Sequence, residues 1–162
     1  GYTITEERKE KVLFSEPYLS NSQIIVTMAD SDIETKADLA GKVVATQQGS
    51  AAFDAIIADE TGIAAEFDGG TPILYPTFND VFNDLESGRS DAIVVDEVLG
   101  RYTMKLKGEE KFAVLTDNFG DEEYGVGLRK EDVALKEAID ATMNDMREDG
   151  TYDEIYAKWF AE

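Results

Sequence analysis

Three places in the sequence carry side chains whose chemistry would matter in a crevice. Gly49-Ser50 stands between a β-branched run and an amphipathic stretch, the setting of a strand-to-helix turn. In an open parallel sheet, ligands lie beyond the carboxyl ends of the strands. A helix start there offers free backbone N–H groups, here with a hydroxyl beside them, to an anion. The same turn serves equally well as an ordinary helix cap by Ser50. Asp96 follows the apolar run 92–95, so its carboxylate would point into the same crevice and could accept hydrogen bonds from an ammonium group. Its alternative task is to cap the next helix. Arg8 lies in the charge run 3–11, which reads as a solvated helical turn, yet guanidinium is the side chain best shaped to clamp a carboxylate through two bonds.

Holding these residues in place requires a repeated strand-and-helix unit, and the hydrophobic rhythm supplies one. Short β-branched runs at 23–27, 42–46, 73–75, 92–95 and 112–115 read as strands, each followed by a helical or turn segment. A turn over 36–40 ends at Gly41. A helix from Ala51 to about Asp59 carries Phe53, Ile56 and Ile57 on one face. Thr77 caps a helix bearing Phe78, Val81, Phe82 and Leu85, which stops at Gly88; another runs from Asp96 to about Lys107. Residues 116–123 are polar and read as a connector. Leu135, Ile139, Met143 and Met146 make an apolar stripe ended by Gly150, and Thr151 with Glu154 forms a capping box for a last helix to Phe160. The fold class is therefore α/β. Residues 23–119 make one doubly wound lobe, and the two ends of the chain read as parts of something else.

Composition removes most alternatives. The 162 residues hold 35 Asp+Glu against 15 Lys+Arg and no His, a formal net charge of −20, with no Cys. A hydrophobic fraction of 43% argues against disorder despite that charge. So acidic a surface repels nucleic acid. Without His or Cys there is no thiol nucleophile, no Ser-His-Asp triad, no disulfide and no zinc site of the usual kind, so no metal or cofactor is expected. Asp30-Ser31-Asp32 starts like a calcium loop, but Thr35 and Gly41 stand where it needs Gly and Glu. Gly125-Val126-Gly127 lacks the third glycine of a dinucleotide fingerprint. The methionines and Trp159, on apolar helix faces, are expected in the core. No run approaches 18 apolar residues.

The order of these pieces is more specific than any one of them. Gly1-Tyr2-Thr3-Ile4-Thr5-Glu6-Glu7-Arg8, Phe14-Ser15-Glu16-Pro17-Tyr18, Asp38-Leu39-Ala40-Gly41-Lys42-Val43-Val44 and Gln48-Gly49-Ser50 follow one another along the first third of the chain. Leu85-Glu86-Ser87-Gly88-Arg89-Ser90-Asp91-Ala92, Asp96, Tyr124-Gly125-Val126-Gly127-Leu128 and the ending Gly150-Thr151-Tyr152-Asp153-Glu154-Ile155-Tyr156-Ala157-Lys158-Trp159-Phe160 come later. Across essentially the whole chain, this series resembles the polar amino-acid solute-binding proteins of ABC importers, which have the type II periplasmic-binding-protein fold.

The resemblance implies two α/β lobes joined by crossovers near 18–22 and 120–124, with the ligand held between them. Residues 23–119 would be one complete lobe, and 1–22 with 120–162 part of the other, whose opening strands and helices come before Gly1 in relatives. It implies that Arg8 grips the ligand α-carboxylate, helped by Thr3, the Ser50 hydroxyl and backbone N–H groups around Gly49. Asp96 would pair with the α-ammonium, assisted by the Gly1 carbonyl. Gln47 would face the ligand side chain, and Ala51 stands where some relatives have Gly. Val95 replaces a polar residue of some relatives, which disfavours a strongly charged ligand side chain. Three or four charge-assisted hydrogen bonds of about 1.5–3 kcal/mol each, less the cost of immobilising the ligand, reach the roughly −8 kcal/mol of micromolar binding. The implied function is binding, not catalysis. A free amino acid, expected to be polar, would be delivered to the permease of an ABC transporter outside the cytoplasm, in the periplasm or from a lipid anchor. A sensor module or a prephenate- or arogenate-type dehydratase on the same fold are the alternatives.

Overall fold

Alternating apolar side chains in the middle of the chain build a five-stranded sheet in the order β4-β3-β5-β2-β6. A computed structural model describes residues 1–160; residues 161 and 162, at the end of the expected 120–162 segment, lie outside the described residues. The strands are β1 (Leu13–Phe14), β2 (Leu19–Met28), β3 (Val44–Gln47), β4 (Ile73–Tyr75), β5 (Ala92–Asp96), β6 (Phe112–Tyr124) and β7 (Gly127–Leu128). The helices are α1 (Glu6–Lys11), α2 (Ala51–Ala58), α3 (Phe78–Glu86), α4 (Glu97–Lys107), α5 (Val133–Glu148) and α6 (Thr151–Phe160). The chain divides into two units, one of Gly1–Ser20 with Glu123–Glu162 and the other of Asn21–Glu122.

In the second unit the period-2 pattern is buried on both faces. Ile25, Val44, Ala92 and Val94 face one way and meet Ala52 and Ile56 of α2. Ile24, Val26, Ala45, Ile93 and Val95 face the other way and meet Val81, Phe82 and Leu85 of α3 and Met104 of α4. Phe82 packs edge-on against Phe112, with ring centroids 5.7 Å apart. Gly100 lets α4 lie close to the sheet: a Cβ there would come within 3.1 Å of Val95 Cγ1 and 3.2 Å of Ile24 Cδ1. Strands β4, β3 and β5 are parallel, so each feeds its following helix from the same edge.

Three expectations are corrected here. Strand β2 runs antiparallel to β5, pairing Gln23 with Asp96 through Thr27 with Ala92, so the sheet is mixed. The rule for βαβ units does not reach it, because β2 enters the sheet without a preceding crossover helix of that unit. Residues 116–123 are not a connector but the second half of the 13-residue β6. Asp121 and Glu123 are exposed while Phe119 is buried, and pairing in the sheet satisfies the backbone whatever the side chains are. Ile57 is 54% exposed, since α2 is short and its buried face is spanned by Ala52 and Ile56.

Local signals at the helix ends behave as their chemistry suggests. Ser50 Oγ accepts from Phe53 N at 3.2 Å, and Thr77 Oγ1 accepts from Asp80 N at 3.2 Å. Helix α4 differs. Its N-cap residue Asp96 makes no side-chain cap; Asn21 Oδ1, from β2, accepts from Val98 N at 3.2 Å instead. On α3, Asp84 is fully buried and accepts from Arg89 Nε at 2.5 Å and from the Ser90 hydroxyl. Burial pushes its pKa up, but hydrogen bonds from Ser90, Tyr75 and Arg89 outweigh that and hold the carboxyl below the usual aspartate range.

The first unit has less to bury. Strands β1 and β7 pair antiparallel, Leu13 with Leu128 and Phe14 with Gly127, and Thr3 bridges to Tyr124. Thr5 caps α1, and Tyr2 stacks on Phe14 at 5.1 Å. Helices α5 and α6 are tied on by polar bonds: Asp140 Oδ1 accepts from Glu16 N, Arg147 donates to the Pro17 carbonyl, and Tyr152 donates to the Tyr18 carbonyl. Asp149 Oδ1 accepts from Thr151 N at 2.8 Å, and Thr151 is the first residue of α6, so the expected capping box is not the device that starts this helix. No residue of α5 or α6 is fully buried. Met104 is a core residue, whereas Trp159 is 68% exposed, against expectation. The apolar stripes are present, but the unit offers them a two-stranded sheet and each other in place of a full layer.

Two outcomes follow. Asp84→Ala should lower the unfolding free energy by about 3 kcal/mol in a urea titration, because charge-assisted bonds to a fully buried carboxylate are lost. In the unsubstituted protein the Asp84 contribution is complete above the unfolded-state pKa of about 3.9 and disappears as pH falls through its lower folded-state value. Urea midpoints measured between neutral and acid pH should therefore converge for the two proteins. Trp159, the single tryptophan, should show water-exposed emission that iodide or acrylamide quenches freely; a blue-shifted, protected spectrum would mean that something covers α6.

Candidate functional site

The candidate residues of the second unit gather at one edge of its sheet. Parallel pairing sets Ala45 beside both Ile73 and Ile93, so β3, β4 and β5 all end on the same side. From β3 the chain reverses outward to β4 and then returns across β3 to β5, which makes the gap between β3 and β5 a topological switch point. Gln47 ends β3, with Gly49, Ser50 and Ala51 just beyond it; Asp96 ends β5. Gly49 has φ +66°, the left-handed region, with no atom crowding its Cβ position, so backbone conformation rather than space requires glycine. Ser50 Oγ is already occupied, donating to the Gln47 carbonyl at 2.8 Å while accepting from Phe53 N. Ala51 is buried as the first residue of α2, and Gln47 Nε2 donates to the Pro76 carbonyl at 2.9 Å. Val95 is fully buried and packs in the core beneath α4.

Asp96 is held as an acceptor. Its Oδ1 accepts from Gln23 Nε2 at 2.7 Å and from Asn21 Nδ2 at 3.1 Å. The same two amide nitrogens donate to Glu122 Oε1, at 2.7 and 2.6 Å. Each amide has two N–H bonds, so four donors enter two carboxylate oxygens in a closed ring. Relief from capping is what makes this possible: Asn21 uses its oxygen for the α4 terminus and its nitrogen for the carboxylates. Among the described residues no Lys or Arg pairs with Asp96. The neighbouring Glu97 is differently placed: burial raises its pKa, but the Ser22 hydroxyl and Arg101 overcome that and lower it. Sequence reasoning missed Asn21, Gln23 and Glu122. A cue existed for two of them, since Asn21 and Gln23 are polar residues two apart at the start of an apolar strand and share a face.

The candidates in the first unit are Gly1, Thr3 and Arg8. Arg8 Nη1 donates to the Thr3 carbonyl at 3.0 Å, and its guanidinium carbon lies 4.7 Å from the centre of the Tyr2 ring. Its backbone N–H is fixed by Thr5 Oγ1. Among the described residues no carboxylate forms an ion pair with it, although 35 acidic residues are available in the chain. Thr3 is buried and contributes its carbonyl to orienting Arg8. Gly1 is exposed on its own account, but a Cβ there would fall 2.0 Å from the Tyr124 ring, so a side chain would displace Tyr124.

Chemically, an oriented guanidinium such as that of Arg8 can take a carboxylate, and a fixed carboxylate such as that of Asp96 can take an ammonium. Among the described residues no group of His, Cys, Asp or Glu is arranged to hold a metal ion, and no helix is long and apolar enough to cross a membrane.

The family model of bacterial extracellular solute-binding proteins, family 3, matches residues 1–162. An ABC transporter glutamine-binding protein of Bacillus subtilis is 32% identical over 162 residues, covering 99% of this chain and 56% of that protein. The lysine/arginine/ornithine-binding periplasmic protein of Escherichia coli is 32% identical over 165 residues, covering 98% of this chain and 62% of that protein. Among solved structures, a substrate-binding protein of an ABC uptake transporter from Streptococcus pneumoniae with bound histidine has a TM-score of 0.93 at 34% identity, covering 100% of this chain and 66% of that one. The chain thus spans about three fifths of the length of these curated relatives. On the match along its whole length, this chain belongs to the bacterial extracellular solute-binding proteins, family 3.

Proposed function

We propose that this chain takes part in binding a free amino acid outside the cytoplasm for delivery to the permease of an ABC transporter. The observation that carries the reading is Arg8: an oriented guanidinium without a carboxylate partner among the described residues, in a chain of net charge −20. A cation left unpaired amid so much negative charge is fitted to an anion that arrives from outside. In this reading Arg8 takes the α-carboxylate, with Thr3 orienting it and the N–H groups about Gly49, Ser50 and Ala51 assisting. Asp96 takes the α-ammonium, with the Gly1 carbonyl as a further acceptor. Gln47 faces the ligand side chain, which we take to be polar. The second unit corresponds to one lobe of the family fold, near 23–119, and 1–22 with 120–162 to part of the other.

The relatives compared are named as binding proteins, and the role proposed is non-enzymatic. Neither the sensor nor the dehydratase alternative gains a feature of its own.

Calorimetric titration of the common amino acids into the protein in its full natural length tests this. Saturable binding at about micromolar affinity, weakened at least a hundredfold by Arg8→Ala and by Asp96→Ala, is expected from the loss of a charge-assisted pair with its buried partner left behind. Unaltered affinity in both variants, or product formation on incubation, would overturn the assignment.

A further inference from the structure

Helices α2, α3 and α4 each follow a parallel strand of the second unit, and of the three only α4 is capped by a side chain from elsewhere in the chain. We propose that Asn21 is a positioning residue: by capping α4 in place of Asp96 it keeps the Asp96 carboxylate available to the ligand α-ammonium, and so sets how strongly the site requires that group. This inference rests on the proposed role of Asp96 as the ammonium acceptor.

Left to itself, Asp96 would cap its own helix. It stands at the N-cap position of α4, and aspartate is among the side chains that best accept from the N–H groups of a first turn. Ser50 on α2 and Thr77 on α3, at the same position, do so, each at 3.2 Å. The Asp96 carboxylate makes no such bond. Asn21 Oδ1, 77 residues away in sequence, accepts from Val98 N at 3.2 Å instead. The Nδ2 of the same amide donates to Asp96 Oδ1 at 3.1 Å. One neutral side chain thus fills the cap and holds the aspartate away from it.

The orientation of both amides near Asp96 is dictated. Asn21 turned over would set its nitrogen against the Val98 N–H and its oxygen against the carboxylate, losing both bonds. Gln23 Nε2 donates to the same Oδ1 at 2.7 Å, while its own Oε1 is buried without a hydrogen-bond partner. Turning that amide over would aim the oxygen at the carboxylate, so holding the aspartate outweighs satisfying the acceptor. Among the described residues every side-chain bond into Asp96 reaches Oδ1, and Oδ2 accepts from none. Oδ2 is therefore the oxygen left for an ammonium. Asn21 is 6% exposed, with its oxygen given to Val98 and its nitrogen to Asp96 and Glu122, so it has no donor left over for a ligand and works through Asp96.

Removing the α-ammonium from the ligand reads this directly. Calorimetry on the protein in its full natural length compares glutamine with glutaramate and histidine with imidazolepropionate, the weaker member of each pair by displacement. Each analogue lacks only the α-ammonium. The unsubstituted protein should prefer the amino acid by about a hundredfold or more. In Asn21→Ala, Asp96 turns back to cap α4, and that preference should fall about five- to twentyfold, through weaker binding of the amino acid alone. Asn21→Asp keeps an oxygen for Val98 N, so the cap stays filled and most of the preference should survive. A residue that only braced β2 against α4 would weaken amino acid and analogue together, and an unmoved preference in Asn21→Ala overturns the proposal. Equal loss of preference in Asn21→Asp and Asn21→Ala overturns it too, because filling the cap would then make no difference. If Asn21→Ala does not fold by thermal melt, Asn21→Leu, which keeps the volume, reads the same preference. Asp96→Ala separates this from the parent reading. Amino-acid binding kept there rejects Asp96 as the acceptor, whereas binding lost there with the preference unmoved in Asn21→Ala rejects only the role of Asn21.

Discussion

Burial of both faces of the sheet in the second unit is the constraint on which the rest of the molecule depends. Ile25, Val44 and Val94 on one face and Ile24, Val26, Ala45 and Ile93 on the other must all leave water, and no single helix layer could cover them. Helices are therefore needed on both sides, and helical crossovers connect the parallel strands β3, β4 and β5. Once parallel, they deliver Gly49-Ser50, Thr77 and Asp96 to the same edge, each at the start of a helix. The location of the candidate site follows from apolar burial far below it, before any polar side chain has been considered.

The polar chemistry then depends on a division of labour at α4. A carboxylate at an N-cap position ordinarily spends an oxygen on the helix, as Ser50 and Thr77 spend theirs. Asp96 does not, because antiparallel pairing of β2 with β5 brings Asn21 within reach of the helix terminus and gives it the capping task. The aspartate is left with an oxygen fixed by two amides and with no cationic partner among the described residues. Arg8 shows the same logic in the first unit: a carbonyl and an aromatic ring orient it, and neither neutralises it. Both charges are held in place by neutral groups, unlike the ion pair of Asp84 with Arg89, in which each charge answers the other.

Much of the architecture was legible in the chain because it is written at short range. The caps at Thr77 and Ser50, the buried run of β5, and the α3 stripe of Val81, Phe82 and Leu85 each depend on neighbours within one or two turns. Where partners are distant, the reading failed for identifiable reasons. The second half of β6 looks like a loop because it lacks apolar alternation, yet a strand needs only a neighbour for its backbone. Trp159 looks like core because its helix is amphipathic, yet an apolar face is buried only where another layer meets it. Val95 packs under α4, where Gly100 lets the helix come close.

By itself the sequence determined the α/β class, the helix starts, the family likeness and the placing of Ser50 and Asp96 at a strand's carboxyl end, all of which rest on periodicity and adjacency. It also set the net charge against which Arg8, without a carboxylate ion pair among the described residues, becomes conspicuous. Tertiary structure alone decided the company these residues keep. Asn21 and Gln23 reach Asp96 across 75 and 73 residues and Glu122 across 101 and 99, through hydrogen bonds that no local pattern encodes. The physical reason is that register is set by burying apolar side chains over the whole sheet, and the polar ring at its edge falls into place as a result.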